Sequence, residues 1–364
     1  MSSHEYYMSC ALQLAERGLY TTDPNPRVGC IIVKNGQVLG QGWHQHAGQG
    51  HAEVNALKDA GLNAKEADCY VTLEPCSHFG RTAPCADALI NSGIRRVFIA
   101  MTDPNPRVSG SGIDKLQLAG IEVTVGILEQ QAEVLNIGFC KRMRMGIPYV
   151  RSKMAMSIDG RTAMASGESK WITGSAARQD VQKLRARSSA ILTGIGTVLA
   201  DDPALTVRPG AWYPVQTIRQ PKCIVVDSLL RISHGAKIFK DNAKVLIATT
   251  VANKTFQNAE LCCLPAKKNR VDLGALMDEL ARREINEIMV EAGSELNGAL
   301  LAAGLIDELI IYMAPKIMGD GAKGLFHLPA LSTMAQNVDL QITDIRAVGC
   351  DWRITASPQY NKDH

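Results

Sequence analysis

Along the chain, the spacing of apolar positions alternates between the period of a strand and the period of a helix. This alternation divides the sequence into short strands and amphipathic helices. The first elements are a helix over 5–18 and a hairpin with arms at 28–34 and 37–43. The rest of the first half follows in chain order as helix 51–60, strand 67–73, helix 84–93, strand 95–100, strand 121–126 and a long helix over 128–144. Alternating strands and helices predict a three-layer α/β sandwich.

The long helix runs into "RMRMGIP", where Gly146 and Pro148 make a natural boundary. Beyond it the alternation restarts, with strands near 149–155, 189–193, 222–227, 244–249, 286–291 and 307–313, helices near 175–186, 272–283 and 294–303, and a closing hairpin over 338–357. A chain of 364 residues exceeds the usual size of one hydrophobic core. We therefore predict two α/β domains, 1–146 and 147–364.

The amino-acid composition limits which kinds of partner the protein can be expected to bind and in which compartment it is expected to work. Charged residues make up 21% of the chain and the net charge is +3, so nothing indicates a polyanionic partner such as nucleic acid. The apolar runs are too short to span a membrane, and the N-terminal helix carries both acids and bases, unlike a signal peptide. Ten cysteines without such a signal are expected to be thiols or metal ligands in the cytoplasm.

The strongest chemical signal joins "HAEVNAL" (51–57) with "EPCSHFGRTAPC" (74–85). His51, Cys76 and Cys85 are ligand types that suit Zn²⁺, and each cysteine follows a proline where a strand ends or a helix begins. Sulfurs in such positions can lie near helix N-terminal amides, which favour thiolates. Three protein ligands leave a fourth coordination position for water, which the metal acidifies.

Glu53 lies two residues beyond His51, too close in sequence to bind the same ion sensibly, but it can reach the bound water and move its proton. The alternative is a closed zinc site with His78 as the fourth ligand, in which Glu53 has no chemical role. A non-catalytic zinc-scaffolded binding protein would have such a site and would not depend on Glu53. A free-nucleoside deaminase would fit the first half of the chain and leave the second half unexplained.

These residues resemble the zinc deaminase signature H-x-E…P-C-x-x-C, with eight residues instead of two between the cysteines. With this longer loop and the hexapeptide "DPNPRV", which occurs at both 23–28 and 103–108, the first half resembles the deaminase domain of bifunctional riboflavin biosynthesis proteins. The resemblance implies a cytidine-deaminase-like α/β/α fold, one zinc ion per chain and Glu53 as catalytic acid and base. The implied substrate is a diaminopyrimidinone ribose phosphate, deaminated to the uracil and contacted by Asn25, His44, Arg81, Asp103 and Asn105.

The two hexapeptides are not a domain repeat, because the first enters a strand and the second follows one. Asn25 and Asn105 each lie between two prolines, which restrain the backbone that presents the side chain. We expect both loops to converge on one pocket above the zinc, with Arg27 and Arg107 exposed. The alternative interpretation of each implied substrate contact is an ordinary turn or surface residue.

The second half has no G-x-G-x-x-G fingerprint, and "TGIGTVLADDP" (193–203) carries only G-x-G. In "VEAGSELNGALL" (290–301) a strand ends at Glu291 and a helix begins near Ser294, where backbone amides could hold a phosphate. On these grounds an ordinary turn is an equal alternative. Together with "SKMAMSIDGRTA" (152–163) and "GESKWITG" (167–174), the order of motifs resembles the reductase domain of the same proteins, which implies a dihydrofolate-reductase-like fold and NADPH.

This second resemblance implies two groups of contact residues. The nicotinamide side would be lined by Ala155, Trp171, Thr197 and Asp201, and the cofactor phosphates by Ser228, Gly293, Ser294, Glu295, Leu296 and Asn297. The ribose phosphate substrate would contact Lys153, Ser169, Arg185, Leu205, Arg208 and Glu291. Lys153 or Glu291 could supply the proton that accompanies hydride transfer. Without the resemblance, Trp171 would be interpreted as a core aromatic and Arg185 as part of a solvated helix face.

Taken together, the motifs and the resemblance predict a bifunctional enzyme that deaminates the pyrimidine with zinc and then reduces the ribosyl side chain to ribityl with NADPH. Its partners would be small phosphoribosyl pyrimidines, with no nucleic acid and no membrane. The family commonly self-associates, so we expect a homo-oligomer, with a dimer through the second domain favoured.

Overall fold

The computed structural model describes residues 2–77, 84–106, 108–208, 210, 219–240 and 244–360. The chain falls into two compact units, Met1–Ile147 and Pro148–His364. Within the described ranges, every helix is too short or too polar to cross a bilayer.

The first unit is built on one mixed sheet. Its described strands are β1 (Gly29–Lys34), β2 (Gln37–Trp43), β3 (Asp68–Val71), β4 (Arg96–Ile99) and β5 (Glu122–Val125), and its described helices are α1 (Ser3–Glu16), α2 (Ala52–Ala60), α3 (Cys85–Asn91), α4 (Ser111–Leu118), α5 (Glu129–Leu135) and α6 (Ile137–Met145). The strand order is β2-β1-β3-β4-β5. β1 is antiparallel to both of its neighbours, whereas β3, β4 and β5 run parallel.

Helices cover both faces of this sheet. Successive side chains of a strand point to opposite faces, and in β1 Cys30 and Ile32 pack into a core with α2, α3 and α4. Ile31 and Val33 pack into a second core, which α1, α5 and α6 complete on the other face. The three-layer α/β/α prediction for this half is therefore confirmed.

The helix predicted over 128–144 is wrong as a single element, because α5 and α6 meet at Asn136. The Asn136 side chain is fully buried; its Oδ1 accepts from the Arg27 amide at 2.8 Å and its Nδ2 donates to the Arg27 carbonyl at 2.9 Å. The expected exposure of Arg27 is also wrong, since the residue is buried and its guanidinium donates to the Leu135 carbonyl. Arg107 lies outside the described residues. The first hexapeptide is thereby fixed against the α5–α6 junction.

The second unit holds the remaining elements. Its described strands are β6 (Tyr149–Ser157), β7 (Arg161–Ala163), β8 (Ala190–Gly194), β9 (Lys222–Val226), β10 (Val245–Thr249), β11 (Glu260–Cys263), β12 (Ala266–Lys267), β13 (Arg270–Val271), β14 (Glu287–Val290), β15 (Glu308–Ala314), β16 (Lys323–Gly324), β17 (Asp339–Val348) and β18 (Asp351–Gln359). Its described helices are α7 (Ser175–Arg187), α8 (Ile195–Asp201), α9 (Leu273–Arg282) and α10 (Ser294–Ala302). The six strands, three helices and closing hairpin predicted from the sequence are all present. Helix α8 was not predicted.

The main sheet of this unit has nine described strands in the order β11-β10-β9-β8-β14-β6-β15-β18-β17. From β11 to β15 neighbouring strands run parallel, and only β18 and β17 are antiparallel additions at one edge. In parallel sheets, ligand sites form at the carboxyl ends of the strands. Ser228 follows β9, Ile195 follows β8 and Glu291 follows β14, so these ends mark where a ligand site is expected.

Candidate active sites

The predicted zinc ligands of the first unit lie together. His51 is the residue before α2, Cys85 is the first residue of α3, and Cys76 belongs to the loop after β3. The His51 Nδ1 lies 3.6 Å from the Cys76 Sγ and 3.2 Å from the Cys85 Sγ, and all three ligand atoms lie within 4.8 Å of one another. With bonds of about 2.0–2.3 Å, a tetrahedral zinc ion holds its ligand atoms about 3.5–3.8 Å apart. The three side chains therefore fit a zinc ion with small adjustments.

The surroundings of Cys76 favour its thiolate. The Cys85 thiol, then the His51 ring and the Cys85 backbone amide, hold the pKa of Cys76 well below the ordinary value of a thiol. That amide donates to the Cys76 sulfur at 3.3 Å, and it belongs to the N-terminus of α3. The predicted contact between a ligand sulfur and a helix N-terminal amide is thus present, and thiolates are the form of cysteine that binds zinc.

Glu53 lies in the first turn of α2 and only 3% of its surface is exposed. Its burial raises the pKa of its carboxyl to about 7, and the side chain reaches the Cys85 thiol. A buried carboxylic acid beside a group of metal-ligand side chains can both take and give a proton near neutral pH. His78, the alternative fourth ligand, and Arg81 lie outside the described residues.

His44 connects the first hexapeptide to the three zinc-ligand side chains. The Asn25 Nδ2 donates to the His44 Nε2 at 3.1 Å, and the His44 Nδ1 is 3.2 Å from the Gly50 carbonyl. Burial lowers the pKa of His44, which favours the neutral ring that these two bonds require. The rings of His44 and His51 meet edge to face, with their centroids 5.6 Å apart. Asn25, His44 and His51 thus form one contiguous group.

The second unit contains a cavity of 1690 Å³ at the carboxyl ends of its parallel strands. Single ligand pockets usually measure about 300–1,000 Å³, so this cavity has room for a dinucleotide and a sugar phosphate together. Its lining includes fifteen of the sixteen residues that the resemblance implies for this domain: Lys153, Ala155, Ser169, Trp171, Arg185, Thr197, Asp201, Leu205, Arg208, Ser228, Glu291, Gly293, Ser294, Glu295 and Leu296. Residues far apart in sequence are therefore brought to one site.

Asn297 is the exception, because its side chain is fully buried away from the cavity. Its Oδ1 accepts from the Ser152 hydroxyl at 2.7 Å, and its Nδ2 donates to the Ala292 carbonyl at 2.8 Å. The amide is therefore occupied in holding the turn between β14 and α10. This side chain supports the turn that presents Gly293, and the contact of Asn297 with the cofactor phosphates stays a prediction.

Arg185 and Glu291 form an ion pair in the cavity wall. The Arg185 Nε and Nη2 donate to the two carboxylate oxygens at 2.6 and 2.9 Å, and Nη1 donates to the Thr206 carbonyl at 2.8 Å. Burial alone would raise the pKa of Glu291, but Arg185 and then Lys153 hold it below its ordinary value. Burial lowers the pKa of Lys153, and the charge of Glu291 opposes that shift. Glu291 is consequently ionised, and the solvated-face interpretation of Arg185 is wrong.

Trp171 is 64% exposed, so its interpretation as a core aromatic is wrong as well. The Arg178 guanidinium lies 4.7 Å from the ring centroid. The cavity is also lined by Lys267, Lys268 and Arg270 of the β12–β13 hairpin, which neither the motifs nor the resemblance predict. The resemblance weakens across this part of the chain, and a run of polar residues in a short hairpin carries no signal of its own.

Comparison with known proteins agrees with both sites. The family model of the cytidine and deoxycytidylate deaminase zinc-binding region matches residues 1–101, and the model of the RibD C-terminal domain matches residues 148–354. The riboflavin biosynthesis protein RibD of Escherichia coli is 52% identical over 95% of this chain and 97% of its own length. RibD of Haemophilus influenzae is 49% identical, with 97% of each chain covered.

Solved structures give the same result. A structure of Acinetobacter baumannii RibD superimposes with a TM-score of 0.92 at 44% identity, covering 98% of this chain and 99% of that one. A diaminohydroxyphosphoribosylaminopyrimidine deaminase/5-amino-6-(5-phosphoribosylamino)uracil reductase of Thermotoga maritima reaches 0.87 at 32% identity, covering 98% and 99%. The chain therefore belongs to the RibD family of bifunctional riboflavin biosynthesis proteins, as its motifs predict.

Proposed function

We propose that this chain catalyses two consecutive steps of riboflavin biosynthesis, one in each unit. The first is the hydrolytic deamination of 2,5-diamino-6-(5-phosphoribosylamino)pyrimidin-4-one, and the second is the NADPH-dependent reduction of its ribosyl side chain to ribityl. The observation that carries the proposal is the presence in one chain of the His51, Cys76 and Cys85 cluster beside Glu53 and of a separate cavity with room for two ligands. The names of the full-length relatives agree with this pair of reactions.

In the deaminase unit, His51, Cys76 and Cys85 would hold the zinc ion. When bound, zinc lowers the pKa of the water at its fourth coordination position and so supplies the nucleophile at neutral pH. Glu53 would take the proton of that water and return it to the departing amine. Asn25 turns its amide NH₂ towards His44, so its carbonyl oxygen would be the end that accepts from an amino group of the pyrimidine.

Asp103, Asn105 and Arg81 complete the proposed set of deaminase contacts. The Asp103 Oδ1 accepts from the Asn105 amide at 2.8 Å, which fixes the turn that presents Asn105. An arginine such as Arg81 has the fixed fork of donors that suits the phosphate of the substrate.

In the reductase unit, NADPH supplies hydride when it is bound. The turn before α10 brings the Ser294 backbone amide to the cavity wall, where it would suit a phosphate, while the Gly293 amide donates to the Thr197 hydroxyl at 3.2 Å. Ser169 and Arg208 would contact the substrate phosphate. Most N–H groups of Arg185 already donate to the Glu291 carboxylate and the Thr206 carbonyl. Because Glu291 is ionised by this pair, Lys153 is the better donor of the proton that follows hydride to the sugar oxygen.

The test is incubation of the zinc-loaded protein with the diaminopyrimidine substrate, with and without NADPH, followed by mass analysis of the products. Without NADPH we expect a gain of about one mass unit, since NH₂ is replaced by OH. With NADPH we expect a further gain of about two units, from one hydride and one proton. An unchanged substrate without NADPH would contradict the deaminase assignment, and a product that stops after the first gain would contradict the reductase assignment.

We also propose that the chain forms a homodimer through β17. This ten-residue strand is an edge of the nine-stranded sheet, and Leu340, Ile342 and Ile345 on it are 44%, 55% and 55% exposed. A long edge strand with exposed apolar side chains is a template for pairing with another chain. A second copy of the same strand would cover both the unpaired backbone groups and the apolar side chains.

We expect light scattering to give twice the mass of the single chain for the native protein. Ile345→Asp should shift the protein towards the monomer, because the charge would be buried in the proposed interface. Leu118→Asp is the matched control, since Leu118 is 89% exposed at the end of α4 and lies far from β17 in sequence. A native monomer, or an equal shift by both variants, would contradict the role of β17.

The cytoplasm is the proposed compartment. None of the ten cysteines is in a disulfide, although the sulfurs of Cys30 and Cys69 lie only 3.5 Å apart. Free thiols are the redox state that reducing compartments maintain. The small-molecule substrates also require no membrane or nucleic-acid partner.

A further inference from the structure

Glu74 is a buried carboxylate in the deaminase unit that the proposed chemistry does not use. It lies between β3 and Cys76, and only 4% of its surface is exposed. Glutamate is almost never fully buried unless its charge is paired or hydrogen-bonded. The identity of its partners therefore indicates what the side chain does.

The partners of Glu74 are backbone amides of a single segment. Its Oε2 accepts from the amides of Asp103 and Gly110, each at 3.0 Å, and its Oε1 accepts from the amide of Gly112 at 2.8 Å. The Glu74 amide in turn donates to the Met101 carbonyl at 3.0 Å. One carboxylate thus holds both ends of the 103–112 segment, which contains the second hexapeptide and the start of α4.

The hydrogen bonds continue from Glu74 to Asn105. Asp103, whose amide is held by Glu74, accepts from the Asn105 amide through its Oδ1 at 2.8 Å. The Asn105 carbonyl then accepts from the amides of Val108 and Ser109, each at 2.9 Å. The conformation that presents Asn105 is therefore built on Asp103, and the position of Asp103 depends on Glu74.

Close packing joins the same segment to the zinc-ligand loop. A Cβ atom on Gly112 would lie 2.0 Å from the Pro75 carbonyl oxygen and 3.2 Å from the Glu74 side chain. Only a glycine allows the two backbones to approach this closely. Because Pro75 directly precedes Cys76, the segment that carries Asn105 is packed directly against the loop that carries a zinc ligand.

We propose that Glu74 is a positioning residue of the deaminase site, which sets Asp103 and Asn105 at a fixed place relative to the zinc ligands. The proposal rests on the proposed function, in which Asp103 and Asn105 contact the pyrimidine substrate. In this proposal Glu74 acts through the backbone of Asp103, Gly110 and Gly112 and not by contact with the substrate or the metal. Its loss should weaken substrate binding, while the zinc cluster and the proton transfer by Glu53 remain.

The test is Glu74→Gln, in which an amide NH₂ replaces one of the two acceptor oxygens and opposes a backbone N–H. We expect the KM of deamination to rise by about tenfold or more, because small displacements of positioning groups have large effects, while kcat changes by less than about threefold. Zinc content should stay at that of the native protein, and NADPH oxidation with pre-deaminated substrate should be unchanged. Glu122→Gln is the matched control, since Glu122 is an exposed carboxylate on β5.

A double-mutant cycle with Asn105→Ala separates positioning from a general loss of structure. If Glu74 acts through Asn105, Glu74→Gln should raise KM much less in the Asn105→Ala background than in the native one. If the two substitutions raised KM independently, so that their effects multiplied in the double variant, the proposal would be overturned. Loss of zinc from Glu74→Gln, or a fall of about tenfold in its kcat with KM unchanged, would also overturn it. Glu74→Asp, which keeps the charge but shortens the reach, should show the same split if the glutamine variant does not fold.

Failure of the proposal can be told from failure of the proposed function. If the native protein does not deaminate the pyrimidine, the proposed function is wrong. If it deaminates and Asn105→Ala leaves KM unchanged, the route from Glu74 through Asn105 is overturned while the deaminase assignment stands.

Discussion

Replacing Glu53 with glutamine should abolish deamination while zinc stays bound and the reductase step stays intact. Glutamine keeps the volume and the hydrogen-bonding reach of this buried side chain, but it cannot carry a proton between water and amine. Loss of a general acid and base typically costs up to about 10⁴-fold, and we expect kcat of deamination to fall by about 10³-fold or more. The measurement is the rate of ammonia release, with zinc content determined on the same sample.

Two controls distinguish a catalytic role of Glu53 from a structural one. Asp59→Asn, on the same helix, exchanges a carboxylate that only accepts from the Gln41 amide and should leave both activities unchanged. NADPH oxidation with pre-deaminated substrate should be the same in Glu53→Gln as in the native protein. If zinc were lost together with activity, Glu53 would be a residue that holds the cluster together, and its proposed catalytic role would be wrong.

Removing zinc should stop the first reaction completely and spare the second. Among the described residues, His51, Cys76 and Cys85 are the one group able to hold a metal ion, and all three lie in the first unit. All lining residues of the reductase cavity within the described ranges belong to the second unit, and its chemistry needs no metal because hydride comes from the nicotinamide. After treatment with a strong chelator we expect no ammonia release and unchanged NADPH oxidation with pre-deaminated substrate.

Two further experiments test whether the loss of deamination is due to zinc bound by these three residues. Zinc added back to the treated protein should restore ammonia release, because the ligand side chains already lie near tetrahedral spacing. Cys76→Ser should reproduce the effect of the chelator without restoration by zinc, since a hydroxyl is a poor substitute for a thiolate ligand. Loss of NADPH oxidation on chelation would show that the two reactions are not independent.

Local sequence patterns were sufficient to predict most of the elements and the metal cluster. The strands of both sheets follow from runs of apolar residues between turn residues, as in β1 and β2. The zinc ligands could be found because metal binding needs particular side chains, and His51, Cys76 and Cys85 occur in contexts that few other functions explain. The residues of the second cavity came from the resemblance, since nothing in their spacing would have joined Lys153 with Arg208.

Three of the errors, at the helix over 128–144, at Arg27 and at Arg185, share one physical cause, which is a polar contact between residues far apart in sequence. The helical pattern over 128–144 is sound locally, yet the helix breaks at Asn136 because that side chain binds the Arg27 backbone, 109 residues earlier. Arg185 likewise pairs with Glu291, 106 residues later, and this pairing places it in the cavity wall and not on a solvated helix face. Glu74 was overlooked because its partners are backbone amides, which leave no mark on the sequence.

The Asn136 contact also bears on how the deaminase half can acquire its structure during synthesis. Both the amide and the carbonyl of Arg27 are satisfied by this one side chain, so the first hexapeptide loop cannot reach its final state before residue 136 has left the ribosome. Strands β1 to β4 of the sheet are complete much earlier, with β4 ending at Ile99. A nascent chain that has emerged only through the zinc-binding region would contain its metal ligands but still lack the Asn136 contact that fixes the first hexapeptide loop.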